Sequence, residues 1–194
     1  MNTKQCFRYI NIENYNEISN QVYDFTVNHT DILKPRRPIF FNDVNTMHII
    51  GHCPALKDFL IKNSLRPTQI AVVVVSPDLD PYLHADTLDP YVRLLLPVKN
   101  CEGAITRMYD VPRENLTLDW QNYSASNIYY DVIGDQDWPL LAEIELTQPV
   151  LFDASVVHAV YPAKDATDHR ISFTIGFDRD LSISRSLKAW QFKL

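Results

Sequence analysis

The chain has 194 residues, of which 46% are hydrophobic and 22% charged, a balance typical of one globular domain and not of a disordered chain. The formal net charge of −6 argues against a protein that holds nucleic acid mainly through phosphates. Three cysteines without a C-x-x-C pair, a polar N-terminal segment and only short aliphatic runs favour a cytoplasmic protein with no membrane partner.

Helical periodicity dominates residues 1–68, which we expect to form an N-terminal flank of helices and loops. Apolar residues at helical spacing predict a helix over residues 15–28. A second helix is predicted to begin at Pro54 and to end near Asn63. Between them, the Pro- and Asn-rich residues 29–47 predict loop or short strands.

Short runs of β-branched and apolar residues follow from residue 69. Gln69–Ser76 is typical of a strand buried on both faces. Six further runs predict strands, over residues 92–98, 104–109, 140–146, 150–153, 156–161 and 170–177. The chain is therefore expected to be a single, mainly β domain with flanking α-helices, with a sandwich or barrel core over residues 69–177. Apolar spacing predicts a closing helix within residues 178–194.

Residues 110–138 interrupt the strand pattern and carry six acidic residues against one basic residue, interleaved with aromatic residues. A long irregular insertion is often a lid or a binding loop, although a surface excursion held by its own aromatic residues would have the same composition. A substrate that passes this segment is expected to be neutral or cationic. Candidate substrate contacts, which ordinary packing would also explain, are Tyr82, Tyr109, Trp120 and Trp138.

The sharpest local pattern is Tyr82-Leu-His84-Ala-Asp86. Residues two apart on an extended strand point to the same face, so His84 and Asp86 can converge on one metal ion. His158 lies among Val and Ala and is the candidate third ligand, because a buried imidazole needs a partner. A solvated turn around His84 and a core histidine at position 158 are the structural alternatives.

The segment Arg170-Ile-Ser172-Phe-Thr174 alternates between polar and apolar residues. If its apolar face packs on neighbouring elements, Arg170 points into the barrel, where a buried guanidinium requires an anionic partner. A ligand carboxylate held with help from the Ser172 hydroxyl is one candidate. A structural ion pair with Asp153 or Asp168 is the other.

Two histidines and one carboxylate form the facial triad of non-haem Fe(II) oxygenases. From Tyr82 to Phe177 the sequence resembles the 2-oxoglutarate- and Fe(II)-dependent dioxygenases, through His84-x-Asp86, the distal His158 and the following Arg170-x-Ser172. Within that superfamily, residues 93–97 and 152–160 are similar to segments of the aspartyl/asparaginyl β-hydroxylases and related peptidyl hydroxylases. The alkylation-repair branch carries a second arginine where this chain has Gly176, so that branch is disfavoured.

This resemblance implies a double-stranded β-helix, a jelly-roll barrel like that of the cupins. It implies that His84, Asp86 and His158 hold Fe(II), and that Arg170 and Ser172 bind the distal carboxylate of the cosubstrate 2-oxoglutarate. With dioxygen as the oxidant, such an enzyme hydroxylates a C–H bond of a peptide side chain or a small metabolite and releases succinate and CO2. The substrate could be peptidyl Asp or Asn, peptidyl Pro or a free amino acid.

Arg93 and the overall function each have alternatives. We assign Arg93 to the cofactor-binding set, although it could instead reach a substrate carboxylate or pair with Asp89 outside the barrel.

The alternative function is a non-catalytic β-barrel module that binds an anionic small ligand without metal turnover. A cupin-type metal enzyme is disfavoured because the His-x-His pair and downstream Glu of that class are absent. The pair His48 and His52 lacks the further ligands of a zinc site. The sequence leaves the oligomeric state open.

Overall fold

The structure is a computed structural model that describes residues 6–28, 39–41, 43–89, 91–119, 129–134 and 136–177. The helix predicted within residues 178–194 and the aromatic residue Trp120 lie outside this part of the chain. None of the helices in the described ranges has the length and apolar character needed to cross a membrane.

The described residues form three α-helices, one short 3-10 helix and twelve β-strands. The helices are α1 (Tyr15–Asn28), α2 (Asp43–His52) and α3 (Pro54–Lys62), and the 3-10 helix is Arg113–Asn115. The strands are β1 (Phe7–Tyr9), β2 (Ile39–Phe41), β3 (Pro67–Val75), β4 (His84–Ala85), β5 (Val92–Lys99), β6 (Ile105–Tyr109), β7 (Leu116–Leu118), β8 (Tyr130–Val132), β9 (Leu140–Glu145), β10 (Val150–Asp153), β11 (Val157–Tyr161) and β12 (Arg170–Phe177).

These strands pair into two antiparallel sheets. The major sheet has the order β1-β10-β5-β12-β3-β2, and the minor sheet has the order β7-β8-β4-β11-β6-β9. From β3 to β6 and again from β9 to β12, consecutive strands alternate between the two sheets, whereas β6 to β9 all belong to the minor sheet. This arrangement is a double-stranded β-helix, and it confirms the prediction of a mainly β jelly-roll barrel with flanking helices.

The helices pack against the outer face of the major sheet. Phe25 of α1 and Leu56 of α3 are buried in one cluster with Phe173 of β12. Side chains alternate along a strand, so Ser172 and Thr174, which flank Phe173, face the interior of the barrel. The alternation predicted for β12 is therefore confirmed, and it directs the polar residues of this strand into the cavity between the sheets.

Two sequence expectations are wrong. Residues 43–47, expected to be loop or short strand, begin α2, whose later residues Ile49 and Ile50 are buried in the core under the major sheet. Residues 110–138 are not irregular throughout, because β7 and β8 pair with each other and extend the minor sheet beyond β4. The lid interpretation of this segment stays a prediction.

Candidate metal and anion site

His84 and His158 lie directly opposite each other on the paired strands β4 and β11. Side chains of directly opposed residues on antiparallel strands point to the same face, here the interior of the barrel. The centroids of the two imidazole rings are 4.5 Å apart, and both residues are buried. The sheet register therefore brings together two histidines that are far apart in sequence.

Backbone carbonyls orient both imidazoles. The Nδ1–H of His158 donates to the carbonyl oxygen of Val156 at 2.9 Å, and that of His84 donates to the carbonyl oxygen of Tyr82 at 3.3 Å. With Nδ1 carrying the proton, each ring leaves the lone pair of Nε2 available on the side of the cavity. This is the arrangement in which a histidine is ready to bind a metal ion.

Asp86 completes the cluster from the residues that follow β4. Its backbone N–H donates to the carbonyl oxygen of Ala154 at 3.0 Å, which fixes the chain as it leaves the strand. The Oδ1 atom lies 3.7 Å from Nε2 of His84. One ligand atom from each of His84, Asp86 and His158 lies within 4.8 Å of the other two, so the structure brings the predicted triad together.

The protonation states suit a cation at this point. Burial, followed by the neighbouring imidazole of His158, lowers the pKa of His84 to about 4, so His84 is neutral near pH 7. Burial alone would raise the pKa of Asp86, but the positive charge of Arg93 and the two imidazoles outweigh it and lower that pKa. Two imidazole nitrogens and one carboxylate are a donor set that fits Fe(II) and leaves coordination positions open.

The wall of the same cavity carries a second group of polar side chains. Arg170, Ser172 and Thr174 of β12 all line it and are buried, as is Thr106 of β6. Within the described part of the chain, the Nε and Nη1 atoms of Arg170 and the hydroxyls of both threonines have no hydrogen-bond partner. Buried donors without partners cost free energy, so this group has the chemistry of a site for an anionic ligand.

The alternative ion pairs considered for Arg170 are absent from the described residues. Asp153 accepts hydrogen bonds from the N–H and the hydroxyl of Ser155, and Asp168 contacts His169. Burial lowers the pKa of Arg170, and the Cys101 thiol beside it offsets part of this effect. An arginine remains charged in spite of such a shift, so the positive charge stays in the cavity.

Arg93 also lines this cavity and does not lie on the outside with Asp89. It is 6% exposed, and its Nη1 atom lies 3.6 Å from Oδ2 of Asp86. Its Nη2 atom donates to Oε1 of Gln69 at 2.7 Å. The alternative pairing with Asp89 outside the barrel is therefore wrong, because the alternation of β5 turns Arg93 inwards towards the candidate metal ligands.

Aromatic residues line the cavity beside His84. The ring of Tyr82 stacks on the His84 imidazole at 4.5 Å and is 39% exposed, and Tyr129 meets the same imidazole edge-on at 5.8 Å. Tyr82 thus lines the cavity, and its role as a substrate contact stays a prediction. Tyr109 points away from the cavity, because it is the neighbour of the inward-facing Met108 and its hydroxyl pairs with that of Tyr161 on the other face of the sheet.

Sequence reasoning missed Gln69, Thr106 and Tyr129, which surround the same cavity or hold its residues. Each lies in a strand, or next to one, that carries no recognisable motif, and each reaches the site only through sheet pairing. Thr106 is opposite Val160 on β11, two residues along from His158, so the strand register is the signal that would have found it.

Comparison with solved structures finds this fold elsewhere. A non-heme monooxygenase, the apo form of ThoJ, aligns over 88% of this chain and 73% of its own, with a TM-score of 0.50 and 12% identity. The chain is similar in fold to this oxygenase. At such low identity the likeness concerns the fold alone.

Two other structures align at lower TM-scores. A prolyl-4-hydroxylase from Pseudomonas putida aligns over 89% of this chain and 91% of its own, with a TM-score of 0.44 and 14% identity. HygX from Streptomyces hygroscopicus, with nickel and 2-oxoglutarate bound, aligns over 88% and 81%, with a TM-score of 0.48 and 14% identity. No family model matches the chain, and neither does any curated protein.

Proposed function

We propose that this chain is an Fe(II)- and 2-oxoglutarate-dependent dioxygenase that hydroxylates a C–H bond of a peptide side chain or a small metabolite. The observation that carries the proposal is one cavity that holds both the His84, Asp86 and His158 cluster and the buried, incompletely paired guanidinium of Arg170. In the reaction, substrate R–H, 2-oxoglutarate and O2 give R–OH, succinate and CO2. Iron, when bound, supplies the reactivity towards O2 and the C–H bond, and the protein supplies orientation and a dry site.

The arginines support a dicarboxylate as the cosubstrate. Arg170 and Arg93 both line the cavity, and each has a buried nitrogen without a hydrogen-bond partner in the described residues. In this proposal Arg170, with Ser172 and the two threonine hydroxyls, holds the distal carboxylate of 2-oxoglutarate. Arg93 lies beside Asp86 and offers its charge to the carboxylate at the metal end. An apolar wall between these groups excludes water and strengthens both contacts.

The proposed substrate is neutral or cationic. Asp131 of β8 lies directly opposite His84 of β4, so the two side chains share a face of the minor sheet. Burial, followed by the charge of Asp119, raises the pKa of Asp131. A positively charged substrate group would stabilise the ionised form of Asp131, whereas a substrate carboxylate would destabilise it further. Among the candidate substrates, peptidyl Asn, peptidyl Pro and free amino acids fit this preference, and peptidyl Asp fits it less well.

We also propose a cytoplasmic location. The three cysteines, Cys6, Cys53 and Cys101, are buried and free in the structure. A reducing compartment is the usual setting for such cysteines.

Turnover tests the proposal directly. Wild-type protein with Fe(II), 2-oxoglutarate and air should form succinate, and a mass-shift screen against peptides and amino acids should find one product heavier by an oxygen atom. His158→Ala should abolish iron binding and succinate formation, because it removes one of three ligands. His169→Ala, at an imidazole outside the cluster, is the matched control and should keep both.

Two outcomes would contradict the proposal. Unchanged iron affinity in His158→Ala would show that the cluster is not the metal site. Binding of small anions by the wild type without any iron binding would favour the non-catalytic binding module instead.

A further inference from the structure

Asp86 has two carboxylate oxygens with different neighbours. Oδ1 lies 3.7 Å from Nε2 of His84, on the side of the other candidate ligands, and Oδ2 lies 3.6 Å from Nη1 of Arg93. A carboxylate that offers one oxygen to a metal ion and the other to a fixed cation cannot rotate freely. The orientation of Asp86 therefore depends on whatever fixes Arg93.

Gln69 is the residue that fixes Arg93. Its Oε1 atom accepts a hydrogen bond of 2.7 Å from Nη2 of Arg93, a charge-assisted bond in a buried setting. The guanidinium also lies over the ring of Tyr91, at 5.6 Å from its centroid. These contacts are made by the part of the guanidinium that faces away from Asp86. They therefore leave Nη1 directed at the Asp86 carboxylate.

Strand order explains how Gln69 and Arg93 meet. Gln69 is on β3 and Arg93 is on β5, and β12 runs between these two strands. The residue of β12 that pairs with Gln69 is Gly176, which has no side chain to separate them. A Cβ atom at Gly176 would clash with the hydroxyl of Tyr91 and would lie 3.1 Å from its ring carbon Cζ. The missing side chain leaves the space in which the Tyr91 ring lies beside Arg93.

We propose that Gln69 is a positioning residue for the metal ligand Asp86 and acts on it through Arg93. Gln69 is not among the residues that line the cavity, and it meets the site through its hydrogen bond with Arg93. Its role is to hold the Arg93 guanidinium so that Oδ1 of Asp86 would stay available to a metal ion. This inference rests on the proposed function, since it requires a metal ion at the His84, Asp86 and His158 cluster. Partners that orient a ligating carboxylate typically change metal affinity by about 10- to 100-fold when they are lost.

The test compares two variants of the full chain. Gln69→Met removes the hydrogen-bond acceptor at similar volume, and Gln69→Glu keeps an acceptor oxygen in the same place. Titration with Co(II) under anaerobic conditions gives the affinity, and the visible spectrum of bound Co(II) reports its coordination. The control is Gln21→Met, which removes an acceptor that binds the N–H of Ala55 in the helical layer.

We expect Gln69→Met to bind Co(II) about tenfold more weakly and with a changed spectrum, because Arg93 loses the hydrogen-bond acceptor that holds it beside Asp86. Gln69→Glu should restore both, and Gln21→Met should resemble the wild type in both. The inference is overturned if Gln69→Met keeps the wild-type affinity and spectrum, or if Gln69→Glu is as weak as Gln69→Met. Failure of the wild type itself to bind Co(II) would contradict the proposed function as well.

Discussion

Several side chains at the cavity have some of their hydrogen-bonding groups paired within the protein and others directed into the cavity, without a hydrogen-bond partner in the part of the chain that the structure describes. His84 and His158 donate Nδ1–H to backbone carbonyls and leave Nε2 towards the cavity. Arg170 keeps Nε and Nη1 without a partner among the described residues, although it is only 4% exposed. Each unpaired buried donor costs about 1–3 kcal/mol. Polar groups held at such a cost are expected to serve a ligand and not the stability of the fold.

Replacing Arg170 by methionine should therefore stabilise the ligand-free protein. Loss of a buried charge that has no ion-pair partner among the described residues should raise the free energy of unfolding by about 1–3 kcal/mol, measured by urea titration. The same variant should bind 2-oxoglutarate on the order of 100-fold more weakly, because it loses charge-assisted hydrogen bonds. Arg107→Met, at an exposed arginine paired with Glu143, is the control and should leave 2-oxoglutarate binding unchanged. A destabilised Arg170→Met with normal 2-oxoglutarate affinity would contradict this assignment.

For single residues, the sequence predicts the contacts between positions that are close along the chain. The spacing of His84 and Asp86 is enough to predict that their side chains converge, because residues two apart on a strand share a face. The alternation around Arg170 suffices to direct it inwards. The contacts of Arg93 with Asp86 and Gln69 could not be predicted, because they join strands whose pairing is set only by the whole barrel.

Among the elements, β12 determines what faces the cavity. It lies between β3 and β5 in the major sheet and is buried along its whole length. The clean alternation of β12 made that strand predictable, and the β-branched run of β3 made β3 predictable. The strand β4, with two residues, and the strands β7 and β8, with three residues each, are too short to carry a pattern that predicts them. Tertiary packing of Ile49 and Ile50 determines α2, whose Asn and Gly content favours loop.

Gly176 tests how tightly β12 is packed at the end near Arg93. Gly176→Ala should destabilise the protein by about 1–3 kcal/mol, since the new methyl group would clash with Tyr91. Gly51→Ala is the control: it lies on α2 with nothing within 4 Å of a new Cβ, and should stabilise the protein by about 0.5–1 kcal/mol. Urea unfolding midpoints measure both effects. Equal stabilities of the two variants would contradict the packing described for Tyr91.

Over the whole molecule, function is divided between the two sheets. The major sheet has helices on its outer face and contributes both cavity arginines, and the minor sheet contributes both histidines. Through β8 and β7, the minor sheet continues beyond β4 on the side of the candidate metal ligands. The acidity that the sequence concentrates in residues 110–138 thus includes Asp131, next to His84 on the same face. Asp135 lies outside the described residues.

This charge distribution predicts substrate preference. Asp131→Lys should lower succinate formation with cationic peptides relative to anionic ones, because it reverses the charge beside His84. Glu145→Lys makes the same charge change at an exposed residue of β9 and is the control. The ratio of succinate formed with matched cationic and anionic peptides is the measurement. An equal ratio in both variants would mean that Asp131 is only solvated surface.

If the proposed function is right, one cavity binds a metal ion and 2-oxoglutarate together. Calorimetric titration of 2-oxoglutarate into the protein under anaerobic conditions, with and without Fe(II), measures this coupling. We expect Fe(II) to bind on its own and 2-oxoglutarate to bind much more tightly with Fe(II) than without it, because the cosubstrate then gains a chelating partner while Arg170 holds its distal carboxylate. Absence of Fe(II) binding, or the same 2-oxoglutarate affinity with and without Fe(II), would show that the cavity does not bind the two together.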